Sequence, residues 1–303
     1  MPALQSSIIE PIWDQFRALI PPVVDTHPLG CHRPRVDARV VFDKLIQVLK
    51  WGIPYEGVAD TTCSATTIRR RRDEWIQAGI FQDLEDLCLK AADKMLGLQL
   101  EDLTVDGCIV KAPCGGEAAG RSPVDRGKQG TKRSLMIEGQ GLPIGFVIAG
   151  ANRPDSPLLE ETLEQVARFG FDLPNEITVH LDAGYDSKKT RDLLDTLGCD
   201  YVISKKGEPL QAGKRWMVER TNSWHTRGFR KLQICTEKRI RVIDAFIRLA
   251  NSVIITRQLI HRAWTTHRWD TRPTRKPALV TLPWVVERAE PVNLGGSVNV
   301  LDR

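Results

Sequence analysis

The feature that most limits what this chain can fold into is a change of hydrophobic period near residue 100. Before it, apolar residues recur at helical spacing; after it, they alternate as in strands. Ile8, Ile12, Trp13 and Phe16 form one amphipathic stripe, and Val41, Leu45, Val48 and Leu49 form a second on a helix over 36–50. Pro21 and Pro22 separate the two, and a turn follows at 51–54. Ser64 suits the N-cap of a further helix, with Ile68, Trp75 and Ile76 inward, Arg69 to Arg72 largely outward, and Gly79 as its stop.

Beyond residue 100, Leu103, Val105 and Gly107 alternate with Thr104, Asp106 and Cys108, which predicts a strand. A polar, glycine-containing loop over 113–130 comes next. Apolar runs at 134–138 and 144–149 then flank a turn at 139–143, as in a hairpin. The pattern continues as helix 157–169, strand 177–181, helix 187–197, strand 201–204 and a helix beginning near Arg215. Three meandering strands followed by alternating helix and strand predict a mixed α/β sheet. Residues 240–260 are apolar around most of a helical circumference and should pack on that sheet. Residues 266–303 show no clear period beyond a short strand at 278–286.

Charge is distributed unevenly. Residues 201–303 carry a net charge of +12, whereas residues 1–200 carry −7. Basic residues cluster at 69–72, 121–133 and 214–241, the last interleaved with Trp216, Trp224 and Phe229. One such cluster is commonly a solvated face; three together favour a polyanion such as nucleic acid. The segment ending in Arg69–Arg72 reads as a helix-turn-helix that would offer Thr67, Arg69, Arg70 and Arg71 to a DNA groove, or as a three-helix bundle with a basic face. No run reaches the ~18 apolar residues of a membrane span. Residues 1–10 lack a secretory pattern, so the cytoplasm is the expected compartment. The seven cysteines are odd in number, scattered and free of C-x-x-C spacing, which suggests buried thiols and neither a disulfide framework nor a zinc site.

Three carboxylates stand out. Asp106 lies within the first predicted strand, Asp182 ends the fourth, and Glu219 sits on the helix after Arg215. Strand C-termini form the functional crevice of open α/β sheets, and a carboxylate drawn out of water needs a partner, for which a divalent cation is suitable. Three such groups would hold two Mg²⁺ ions ~3.5–4 Å apart. Each also has a plainer reading: Asp106 and Asp182 as turn residues, Arg215 with Glu219 as an ordinary i, i+4 pair. His180 is a possible ligand or a hydrogen-bonded strand histidine. Asp186 is either beside the metals or a cap for the next helix. Trp224 either stacks on a base or packs in the core.

The order Thr104-Val105-Asp106-Gly107, Gly120-Arg121-Ser122-Pro123 through Gly130-Thr131-Lys132, Gly141-Leu142-Pro143, Asp155-Ser156, the run from His180 to Asp186, and Val218-Glu219-Arg220-Thr221 resembles bacterial insertion-sequence transposases of the DDE type, in the insertion-sequence-five group. The resemblance covers roughly residues 5–262. It implies an α/β, ribonuclease H-like fold, a mixed five-stranded sheet flanked by helices. It also implies a helical DNA-binding domain over 1–98, a catalytic domain over 99–265 and an irregular tail over 266–303. Asp106, Asp182 and Glu219 become the metal triad for two Mg²⁺ ions, with Mn²⁺ as a substitute. The implied chemistry is DNA cleavage and strand transfer at element ends. The implied partners are double-stranded DNA and, for synapsis, a second copy or more, in the bacterial cytoplasm at the nucleoid. Lys132 and Arg133 would meet the backbone near the cut, and Arg215, Arg220, Arg227, Arg230 and Lys231 would grip phosphates. The sequence departs from the family where Ala212 replaces a tyrosine and Thr226 a lysine, with Arg227 or Arg230 as substitutes. Two rivals remain: a nuclease on the same fold, and a DNA-binding protein that has lost catalysis.

Overall fold

A computed structural model describes residues 3–22, 34–170, 173–204 and 215–266. Helices α1 (Ser6–Leu19), α2 (Ala38–Trp51), α3 (Tyr55–Val58), α4 (Ala65–Gln77) and α5 (Ile80–Leu96) come first. The α/β part follows as β1 (Asp102–Lys111), β2 (Gly120–Arg121), β3 (Gln129–Ile137), β4 (Pro143–Gly150), α6 (Ser156–Glu164), β5 (Thr178–Leu181), α7 (Lys188–Leu197), β6 (Asp200–Ile203), α8 (Trp216–Gly228), α9 (Arg230–Gln233) and α10 (Ile240–Thr266). The tail beyond 266, with its expected strand, lies outside the described residues.

Local chemistry sets the helix ends. The Ser64 hydroxyl accepts the Thr67 amide at 3.2 Å, capping α4, and Ser187 accepts the Thr190 amide at 3.1 Å, capping α7. Gly52 ends α2 in the left-handed region at φ 67°.

The sheet runs β4-β3-β1-β5-β6, with the two-residue β2 also on β3. β1, β3 and β4 are antiparallel neighbours, while β5 and β6 run parallel to β1. Three antiparallel strands followed by two parallel ones, the first strand central, is the ribonuclease H-like order. β3 begins at Gln129, five residues before the predicted run. Its polar start hides the strand because Lys132 and Arg133 are buried on opposite sheet faces, which breaks the apolar pattern.

One side of the sheet, through Leu135, Ile137 and Phe146, joins a core shared by α1, α2, α4, α8 and α10. The other, through Leu103, Val105 and Met136, packs under α6 and α7 with Leu159, Leu163 and Leu194. α10 packs mainly on α5 and α1, and less on β4, so the first core is continuous across residue 98. The apolar circumference expected to cover the sheet is instead divided between sheet and N-terminal helices.

Candidate active site

The parallel register pairs Thr104 with His180, and the same offset sets Asp106 beside Asp182 at the end of β5. Both project on the sheet side that faces α8. Burial raises the Asp106 carboxyl to about 6, with the Gly107 amide and Arg215 pulling it down and Asp182 and Asp155 pushing it up. One side-chain donor reaches it: Asn222 Nδ2, 3.2 Å from Oδ2. The Asn222 Oδ1 is itself buried with no hydrogen-bond partner.

Asp182 caps the short 3₁₀ turn at 183–185, its Oδ1 accepting the Ala183 amide at 2.6 Å, and its side chain is 48% exposed. Glu219 is 63% exposed on the first turn of α8. Arg215 lies between them, with Nη1 3.4 Å from Asp182 Oδ1, Nη2 3.9 Å from Glu219 Oε1, and Nη1 donating to Ser204 Oγ at 3.0 Å. As the side chains stand, no three His, Cys, Asp or Glu groups among the described residues could hold a metal ion. The donor chemistry nevertheless suits one. Three carboxylates are hard oxygen ligands, one is desolvated and short of donors, and beside it an orphaned amide oxygen is free to accept from bound water.

α8 is held from several sides. Arg220 Nη2 donates to Gln140 O at 2.9 Å and Thr221 Oγ1 to Gly141 O at 2.8 Å, fastening the helix to the β3–β4 turn. Further along the same face, His225 Nε2 meets Asn251 Oδ1 at 2.6 Å, and Asn251 Nδ2 donates to Glu85 Oε1 at 2.6 Å. Burial, then the charge of Arg133, keeps His225 neutral by lowering it well below its ordinary value. Sequence reasoning missed Asn222, Asn251 and Glu85, although Asn222 stands one turn after Glu219. Asp155, which the sequence offers only as part of the resemblance and with no role, comes through to Gly107 from the opposite side of the sheet, where any Cβ would overlap its carboxylate.

The remaining sequence candidates fall into two groups. Arg70, Arg227 and Arg230 are exposed; Arg69 is partly exposed and paired with Glu56. Arg220 lies between the Trp216 and Trp224 rings, 4.6 Å from each centroid, while Trp224 also packs against the first core. Arg71, Lys132, Arg133 and Lys231 are buried, which corrects their expected presentation to a duplex. Arg71 lies over the Trp75 ring, Lys132 Nζ is 2.9 Å from Asp155 Oδ1, and Lys231 Nζ is 2.7 Å from Glu237 Oε1. Arg72, expected outward, is also buried, bound to Tyr55 and Asp73. The Arg72 guanidinium thereby staples α4 to Tyr55 and Glu237, whereas Arg71 stays with Glu74 and Trp75 of its own helix. His180 bonds Asp102 at 2.9 Å, and Asp186 pairs with Arg191 while Ser187 does the capping.

Family comparisons add an independent line. The family model "Transposase DDE domain" matches residues 99–209, and "Putative transposase of IS4/5 family" matches residues 9–85. Glu219 lies beyond the first span. The "Putative transposase for insertion sequence element IS402" of Burkholderia cepacia is 32% identical over 142 residues, 45% of this chain and 67% of that relative. Among solved structures, the catalytic domain of Mos1 mariner transposase matches 63% of this chain and 94% of its own at 10% identity and TM-score 0.28. The Mos1 paired-end complex with left transposon end matches 80% and 87% at 12% identity and TM-score 0.25. Such loose superpositions transfer no contacts. With the strand order on one side and the sequence matches on the other, the chain belongs to the DDE-domain transposases of bacterial insertion sequences.

Proposed function

We propose that this transposase cuts double-stranded DNA at the ends of its element and joins the freed 3′-hydroxyls to target DNA, using Asp106, Asp182 and Glu219. The observation that supports this best is the closeness of a desolvated Asp106 on β1 to Asp182 just after β5, faced by the Arg215–Glu219 turn of α8. Mg²⁺ held by these carboxylates, with Mn²⁺ as a substitute, would activate the attacking oxygen and stabilise the leaving one. Asn222 orients Asp106, and Arg215 neutralises Asp182 and Glu219 until a phosphate competes for its guanidinium. Arg220, Arg227 and Arg230 on or just after α8 would then follow the DNA backbone, with Arg69 and Arg70 on α4 a second contact region. Two copies or more would be needed to bring two ends together, at the nucleoid. No helix among the described residues is long and apolar enough to cross a membrane.

The test is Asp182→Asn, assayed with end-bearing duplex and a target plasmid. Loss of joined product with retained end binding supports the assignment; a variant that still joins ends overturns it. Products cut but never joined by the unaltered protein would favour the nuclease, and binding with no metal-dependent product would favour the DNA-binding remnant.

A further inference from the structure

Outside the acidic site, Arg133 is an unusual charge among the described residues. It is 4% exposed, and both Nε and Nη2 are buried with no hydrogen-bond partner. Arginine does not lose its proton in proteins, so it cannot relieve burial by neutralising itself as a lysine or carboxylate would. An isolated buried guanidinium is costly unless something of opposite charge accompanies it.

The neighbours do not supply that charge. Cys108, opposite Arg133 on β1, has its thiol pushed up by burial and stays neutral. His225 is neutral as well. Glu237 is engaged by Lys231 Nζ at 2.7 Å, by the Tyr55 hydroxyl at 3.0 Å and by Arg72 at 3.7 Å. No carboxylate among the described residues lies within 4.0 Å of Arg133.

Arg133 lines a cavity of about 30 Å³ between the sheet and the start of α10, walled by Ile148, Ile243, Phe246 and Ile247. Thr131, also a wall residue, has a buried hydroxyl with no partner. One water needs ~10–15 Å³, so the space suits one small ion with little else. Lys231 and Glu237 also line it but pair with each other, so among apolar walls the Arg133 guanidinium is the unmatched charge, which selects for an anion that sheds its hydration easily.

We propose that this cavity is a binding site for a small monovalent anion of the halide class, held by Arg133 and Thr131 and built into the core where α10 meets the sheet. Bound there, the ion stabilises the folded chain by mass action, since the unfolded chain has no such site. A DNA phosphate is the other anion at hand, but the burial of Arg133 keeps a duplex backbone out.

The experiment compares thermal midpoints of the full chain in chloride and in gluconate at equal ionic strength and pH, for the unaltered protein, Arg133→Met and Thr131→Val. The expected result is a midpoint a few degrees higher in chloride for the unaltered protein, a smaller shift for Thr131→Val and none for Arg133→Met. Equal midpoints in the two salts for the unaltered protein, or the same chloride shift in all three, overturn the proposal. Should Arg133→Met fail to fold, crystals of the unaltered protein grown in bromide decide the matter. An anomalous peak within about 3.5 Å of the Arg133 guanidinium supports the site, and bromide absent from the cavity overturns it.

Discussion

Glu85 and Asp106 are both desolvated carboxylates, and the difference between their surroundings separates a structural acid from a reactive one. Burial pushes both carboxyls up. Glu85, where α5 packs on α10, is well matched: Arg248 Nη1 at 2.5 Å, Asn251 Nδ2 at 2.6 Å and Arg168 Nη2 at 3.1 Å all donate to it. Asp106 has a single side-chain donor among the described residues and sits beside another acid. A carboxylate already matched by two guanidiniums gains little from a further cation, whereas an under-donated one gains by taking one. The strongest way to break this comparison is Glu85→Gln, which removes the one fully buried carboxylate of the cluster and leaves Arg248 to Asp244 and Arg168 to Asp86, both partly exposed acids. We expect a loss of ~3–5 kcal/mol in unfolding free energy by denaturant titration. A loss under ~1 kcal/mol would show that Glu85 is not the anchor its contacts indicate.

The second test reads Asp106 through pH. An acid whose folded pKa is raised binds protons more tightly folded than unfolded, so its contribution is favourable below the unfolded value and is lost as pH rises through the folded one. From 3.8 to about 6, the window is pH 4–6. Across it the unaltered protein should lose up to ~3 kcal/mol relative to Asp106→Asn, at ~1.4 kcal/mol per unit. The comparison is made metal-free by denaturant titration at several pH values. Parallel stability curves for the two proteins would mean that Asp106 is not held protonated by its surroundings.

Much of the frame was legible because its signals are local. Ser64 caps within three residues of itself, and the strand alternation around Val105 needs only its own pleat; the cap of α7 is Ser187 where the sequence offers Asp186. The parity of Asp106 and of Asp182 at a strand end was readable in the same way. What escaped was long-range pairing. Asn222 reaches Asp106 across 116 residues and Asn251 reaches Glu85 across 166, and neither asparagine carries a pattern that names its partner. The sequence alone places Lys132, Arg133 and Arg71 toward DNA, since charge is usually at the surface. The burial of Lys132 and Arg133 depends on Asp155 and on the cavity wall, contributed by other elements, whereas Arg71 folds back over Trp75 one turn along its own helix. α10 was correctly read as buried, but an apolar circumference does not say which surfaces cover it.

The smallest expected effect is at Asn222, and it sharpens the comparison most finely because it changes donor count without touching an acid. Asn222→Ala removes the one side-chain hydrogen bond to Asp106 and also removes the orphaned Oδ1 beside it. Losing a hydrogen bond to a partly charged acceptor costs ~1 kcal/mol, whereas removing a buried unsatisfied oxygen returns part of that. Stability should therefore change by no more than ~1 kcal/mol. The proton affinity of Asp106 should rise, since a donor to its ionised form has gone, and the pH window of the previous test should move upward. Metal-dependent cleavage should then need more Mg²⁺ at pH 7, with its acid limb displaced in the same direction. If the Mg²⁺ requirement and the acid limb both stay put, Asn222 merely fills space beside Asp106, and the carboxylate takes its orientation from the strand alone.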